Sequence, residues 1–202
     1  NRDGKYKYKE FQCAFDFGQQ NDAIAFESDI SKCGFKTVKI MEGTRSFSHA
    51  DDDRVQTHHT FTCIHNGCFP AFLVSLGLSY GKKTETPRSA ISDWIMNTKE
   101  YSRQFLKGFQ GGDGCKIRWN SDSSILIGLT SQQINPLYSD SMTHFMEQCV
   151  QILSSFDIKV TSLTTPEIKT MKMSDARDRI SFTISSAKEN LINYFDNVGY
   201  AY

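Results

Sequence analysis

The sequence predicts an α+β protein made of two copies of one αββαββα unit, a pseudo-twofold arrangement of duplicated halves. Three observations predict it. The stretch Tyr101 to Gly114, YSRQFLKGFQGGDG, has helical periodicity: Phe105, Gly108, Phe109 and Gly112 fall at i, i+3, i+4 and i+7 and share a face. From that helix onward the chain reads helix, hairpin, helix, two strands, helix; before it the chain reads hairpin, helix, two strands, helix. Short stretches correspond at matching places, SDISKCGF at 28–35 with QILSSFDI at 151–158, and FPAFLVSLGLSY at 69–80 with LINYFDNVGYAY at 191–202. The halves divide at 1–98 and 99–202.

Each element has its own signal. Residues 5–9, KYKYK, alternate strictly, so a strand puts Lys5, Lys7 and Lys9 on one face. The run continues to Phe17 as one strand or two, and Gly18 to Asp22 is a strand exit with Asn21 or Asp22 as helix N-cap. Ile24, Phe26 and Ile30 mark a helix over 23–32 that Gly34 stops. A strand follows over 35–41, then a charged loop over 42–58 without periodicity, then a strand over 58–64 and a helix over 69–76 ended by Gly77. Gly81, Pro87 and several serines make 78–94 irregular. Beyond the central helix, 115–119 and 125–132 form a hairpin about an Asn, Asp and Ser turn. Met142, Phe145, Met146, Cys149 and Leu153 are the stripe of a helix over 140–155. Strands at 159–163 and 179–184, with a third near Ile168, lead to a helix over 189–197 ended by Gly199.

Composition bounds the function. The 202 residues suit one domain or two small ones, and 39% hydrophobic residues with 15 Phe allow a sizeable core. The 23 basic and 23 acidic residues cancel, which counts mildly against nucleic-acid binding unless charge is segregated to one face. No apolar run reaches the roughly 18 residues of a membrane span. The six cysteines lack a disulfide-framework spacing, which places the protein in a reducing, intracellular compartment. Cys63 and Cys68 near His58, His59 and His65 have the wrong spacing for a zinc site and read as buried thiols, while Asp51, Asp52 and Asp53 with His58 and His59 read as surface loop.

The central helix needs more explanation. A Gly inside a helix costs about 0.5–1 kcal/mol relative to Ala. Gly108 and Gly112 are therefore expected to let a second helix approach closely. Asp113 stands at the helix C-terminus, where the dipole disfavours an acid, so it is a candidate metal ligand. LKGFQGGDG at 106–114 resembles the signature helix of the LAGLIDADG endonuclease family: Leu106, Gly108, Asp113 and Gly114 match its letters, and Phe109 and Gly112 suit their places. Gly111 departs from the pattern, replacing its first acid. Gly81-Lys82-Lys83-Thr84, Pro87 and Trp94-Ile95 resemble a segment of the same family and of inteins that carry it.

The resemblance implies a fold of curved antiparallel sheets with helices on their outer face. It also implies Mg²⁺-dependent, site-specific cleavage of double-stranded DNA with a long specific site, in intein or intron homing, by a monomer with internal pseudo-symmetry. Asp3 and Asp113, with the carbonyl of Gly112, would hold the metal; the chain opens on Asp3-Gly4, which suggests a fragment of a longer polypeptide. Gln19 and Gln132 would order water, with Gln20 and Gln133 one step away, and Lys82 or Lys83 would stand by the attacking water. Lys5, Lys7, Lys9, Lys116, Arg118 and Asn120 would face the DNA. The alternatives are a non-cleaving DNA- or RNA-binding relative such as a splicing maturase, and a structural protein on the same fold.

Overall fold

The computed structural model describes residues 11–49, 52–114, 116–122, 125–164 and 177–201. It is α+β, with two antiparallel sheets and six helices among those residues, and it divides into units at 1–75 and 76–202.

The first unit runs β1 (Gln12–Phe17), α1 (Gln20–Lys32), β2 (Met41–His49), β3 (Asp52–Asn66) and α2 (Cys68–Ser75). Its sheet has the order β1-β3-β2. β1 alternates exposed Gln12, Ala14 and Asp16 with half-buried Cys13, Phe15 and Phe17, the period of a strand with one covered face. Phe15 meets Phe26 of α1 at 4.6 Å between ring centroids, and Phe35 meets Phe69 of α2 at 5.0 Å. Glu27 and His65 are buried within this aromatic layer. The Glu27 carboxylate satisfies two groups there: it lies 2.7 Å from His65 Nε2 and accepts the Val38 backbone N–H at 2.8 Å.

One expectation is corrected here. The charged loop over 42–58 is a long hairpin instead, with β2 and β3 in register from Met41↔Thr62 to Ser48↔Val55. Thr57, His58 and His59 are exposed, so this part of the ribbon has no covered face, and no apolar alternation reveals it in the sequence. The strand expected over 35–41 begins only at Met41.

The second unit runs α3 (Asp93–Met96), α4 (Lys99–Gly112), β4 (Arg118–Asn120), β5 (Ile125–Ile134), α5 (Ser139–Ser155), β6 (Val160–Thr164), β7 (Asp178–Ile184) and α6 (Lys188–Asn197). The sheet order is β4-β5-β7-β6. The stripe expected on α5 is buried at Met142, Phe145, Met146, Cys149 and Leu153, and it packs with Leu106, Phe109, Ile180, Phe182 and Tyr194 into one core. The opposite sheet face is mixed, carrying Ser131 and Gln133 of β5 opposite Ser181 and Arg179 of β7, with Leu129 exposed beside them. The strand expected near Ile168 lies outside the described residues.

The central helix also differs from expectation. Its buried residues are Ser102, Leu106, Phe109 and Gln110. Phe105 and Phe109 of the glycine face pack on this core, while a methyl group added at Gly108 or Gly112 would meet no atom within 4 Å among the described residues.

Candidate functional site

α4 ends where chemistry is possible. Asp113 is its C-cap, and both Asp113 N–H and Gly114 N–H donate to the Phe109 carbonyl, at 2.8 and 3.0 Å. Gly114 must be small there: a Cβ would come within 2.7 Å of the Gln110 Cα and carbonyl oxygen. The tight exit leaves the Asp113 carboxylate at the helix end, more than a third exposed, in an ion pair with the Lys83 ammonium.

Lys83 is delivered by the irregular segment 78–92, which is pinned at several points. Gly81 adopts φ +124°, a conformation that favours glycine. Thr84 accepts from Asn135 N–H at 2.8 Å, just beyond β5. Arg88 N–H donates to Ser141 Oγ at 2.9 Å, and the Gln148 amide binds both backbone groups of Ile91, at 2.7 and 3.2 Å. The Arg88 guanidinium lies 4.3 Å from the Phe145 ring centroid, a cation–π contact. Burial pushes the Arg88 guanidinium down from its ordinary value, and the charge of Asp113 opposes that shift.

β5 supplies the floor. Gln132, 7% exposed, donates from Nε2 to the Asp113 carbonyl at 3.1 Å. Thr130 donates to Gln110 Oε1 at 2.9 Å, while Gln110 Nε2 is buried with no hydrogen-bond partner among the described residues. The site is one carboxylate, an ammonium, a half-buried guanidinium and two amides. It can exchange ion pairs with a bound anion, and it can offer one carboxylate to a cation.

Lys83, Asp113 and Gln132 thus come together. Lys82 pairs with Glu85 at 3.5 Å instead, and Gln133 faces the opposite side of the sheet. Gly112 is the last residue of α4, next to Asp113. Gln19 belongs to the other unit, as the N-cap of α1 without a side-chain capping bond. Lys116 and Arg118 are exposed, and Asn120 accepts the Asp122 N–H at 3.0 Å to close the hairpin turn. Asp3, Lys5, Lys7 and Lys9 lie outside the described residues. Among the described residues no group of three His, Cys, Asp or Glu is placed to hold a metal ion.

Sequence reasoning missed Arg88 and Gln110. Gln110 had a legible signal, because an amide stands on the apolar stripe that Leu106 and Phe109 define. Arg88 had none beyond its place after Pro87.

No protein-family model matches the chain, and no solved structure does. Curated proteins do. The chain is 26% identical over 186 residues to the replication factor C small subunit of Methanocaldococcus jannaschii, covering 90% of this chain and 9% of that protein. It is 24% identical over 192 residues to the tRNA-splicing ligase RtcB of the same organism, covering 92% of this chain and 19% of that protein. RtcB of Pyrococcus abyssi is 26% identical over 190 residues, again 92% and 19%. The chain therefore spans a fifth or less of the length of these relatives.

These names correct the resemblance. The relatives carry the names of a tRNA-splicing ligase and a replication factor subunit, and not that of a LAGLIDADG DNA endonuclease. Site-specific cleavage, the long double-stranded DNA partner and the intein and intron-homing setting are withdrawn with it. The non-cleaving maturase and the structural protein gain no support either. The physical reason is that a nine-residue match with a closing Asp-Gly fits any helix that ends in a tight turn. No helix of the described residues is long and apolar enough to cross a membrane.

Proposed function

We propose that this chain is part of an RNA-processing enzyme of the tRNA-ligase type and that its own contribution is to hold RNA. The observation that carries the reading is that four relatives bear the name tRNA-splicing ligase RtcB over 66–92% of this chain. The match covers only 13–19% of those proteins, and the same stretch recurs in a replication factor subunit. That distribution favours a contact role over the joining step itself. Two features of the chain support contact with RNA. Lys83 sits in an ion pair that a phosphate can enter, and Lys116 before β4, Arg118 on β4 and Arg179 on β7 are exposed.

Mg²⁺ belongs to the same reading. Mg²⁺ is commonly held by one or two carboxylates together with phosphate oxygens and water. Asp113 and the Gly112 carbonyl would supply the protein side, with Lys83 moving from Asp113 to the RNA phosphate. The cation would supply charge neutralisation there. The duplicated αββαββα arrangement, with halves at 1–98 and 99–202, is also retained. Its support is the strand order: in β1-β3-β2 and in β5-β7-β6 the last strand of each set of three is central.

The test is binding and joining of tRNA halves. A labelled 5′ half should bind this chain more tightly than duplex DNA of equal length, and Asp113→Asn and Lys83→Met should each change its Mg²⁺ dependence. Joining should require the remaining four-fifths of a ligase-type polypeptide. Equal affinity for duplex DNA, or no RNA binding with Mg²⁺ present, would overturn the reading.

A further inference from the structure

The edge of the second unit's sheet carries an aromatic that the described residues leave largely uncovered. Trp119 is 60% exposed on β4, and its cross-strand neighbour Leu126 is 38% exposed. No hydrogen bond or ring contact holds Trp119 among the described residues. Its neighbours Lys116 and Arg118 are exposed too, with no carboxylate partner among the described residues. Successive residues of a strand point to opposite faces. Arg118 and Trp119 therefore stand on the two sides of one ribbon, and β4 is the last strand of its sheet, so nothing in the sheet blocks its outer edge.

We propose that this hairpin edge binds an unpaired nucleobase of RNA, stacked on the Trp119 indole, with Lys116 and Arg118 on the adjoining phosphates. The inference deepens the RNA reading and rests on it. A nucleotide is itself two-sided, with a flat apolar base on one side of the sugar and an anionic phosphate on the other. The ribbon matches that division. A base within a duplex is stacked on both faces and cannot be offered to the indole. Unpaired bases can, and they stack on aromatic side chains without sequence preference. The ligand class is therefore a single-stranded end or loop. Asp122 at the turn is the one acid in the hairpin sequence 115–132, and its backbone N–H is turned to Asn120. It limits the phosphate path to the Lys116 side.

The chain has two tryptophans, so Trp94→Phe leaves Trp119 as the sole indole and keeps an aromatic ring against Tyr101. In that background, a single-stranded oligoadenylate of about ten residues should quench the indole fluorescence as it binds. Binding is followed independently by anisotropy of a label on the RNA. Trp119→Leu should weaken single-strand binding roughly tenfold. Trp119→Phe should recover part of the loss, and duplex RNA should bind equally with or without Trp119. Saturating binding without quenching, or equal quenching by duplex RNA, would overturn the stacking site while leaving the RNA reading intact. Equal affinity for the deoxy strand would keep the stacking site and remove the RNA reading. An absence of binding by either strand would overturn both.

Discussion

A carboxylate at the last turn of a helix faces the negative end of the helix dipole, an unfavourable interaction of about 0.3–1 kcal/mol. At Asp113 the Lys83 ammonium offsets it, with the half-buried Arg88 charge adding to the offset. The pair is half-exposed, so its removal should cost under about 1 kcal/mol of stability. Lys83→Met should therefore fold normally. If Mg²⁺ shares Asp113, the same variant should gain a larger Mg²⁺-induced rise in melting temperature, because the competing ammonium is gone. Asp113→Asn should abolish that rise, and a rise that persists in Asp113→Asn would place the cation elsewhere. Cys149 makes a second residue-scale prediction. Burial pushes its thiol from the ordinary 9.0 to about 12, and Arg88 opposes this. The folded state thus favours the neutral thiol. The stability it contributes is present below pH 9 and is lost as pH rises toward 12. Cys149→Ala should flatten that alkaline limb in pH-dependent denaturant melts, and an unchanged limb would refute the assignment. The buried polar residues were the least legible at this scale. Glu27 and Gln110 sit on apolar helical stripes, and a sequence reveals such a residue only as a break in the pattern. Its partner, His65 or Thr130, lies far along the chain.

Elements were legible in proportion to how much of one face they bury. α5 buries seven residues, and its periodicity predicted both its span and its core face. α4 was placed correctly, and Phe105 and Phe109 of its expected face pack on the core, but no close approach at Gly108 or Gly112 is made among the described residues. The β2–β3 hairpin was missed because Thr57, His58 and His59 face solvent. Segment 78–92 was rightly read as irregular, yet what makes it ordered lies on α5. Gln148 alone binds the N–H and the carbonyl of Ile91. Gln148→Ala should leave both half-buried groups unpaired, at about 1–3 kcal/mol each if water does not replace the bonds. Amide hydrogen exchange at Ile91 and Arg88 should accelerate, and the Lys83–Asp113 pair should loosen with the segment. Gln148→Glu keeps the acceptor and loses the donor, so it should protect the Ile91 amide while weakening the hold on its carbonyl. Unchanged exchange at Ile91 in Gln148→Ala would show that the segment is held by its other contacts.

At the scale of the whole molecule the charge is balanced, 23 against 23, which removes any general attraction to a polyanion. Binding to RNA must then come from local cations freed of acidic partners. On the β4 edge and on β7 such cations among the described residues are Lys116, Arg118 and Arg179, joined by Lys83 once a phosphate replaces Asp113. Four such contacts with a single strand predict that log K falls with log salt at a slope of about −3, roughly 0.7 for each phosphate neutralised. Lys116→Gln should reduce the slope by roughly one contact, about 0.7. It should weaken all RNA sequences alike, because a phosphate contact positions the strand and does not read bases. Trp119→Leu should leave the slope unchanged while lowering affinity, since stacking releases no counterions. The measurement is anisotropy of a labelled single-stranded RNA between low and physiological salt. A slope near zero would mean that no phosphate is contacted and would end the RNA-holding role. A slope of −3 that Lys116→Gln and Arg118→Gln leave untouched would move the contacts off the β4 edge and onto another face of the molecule.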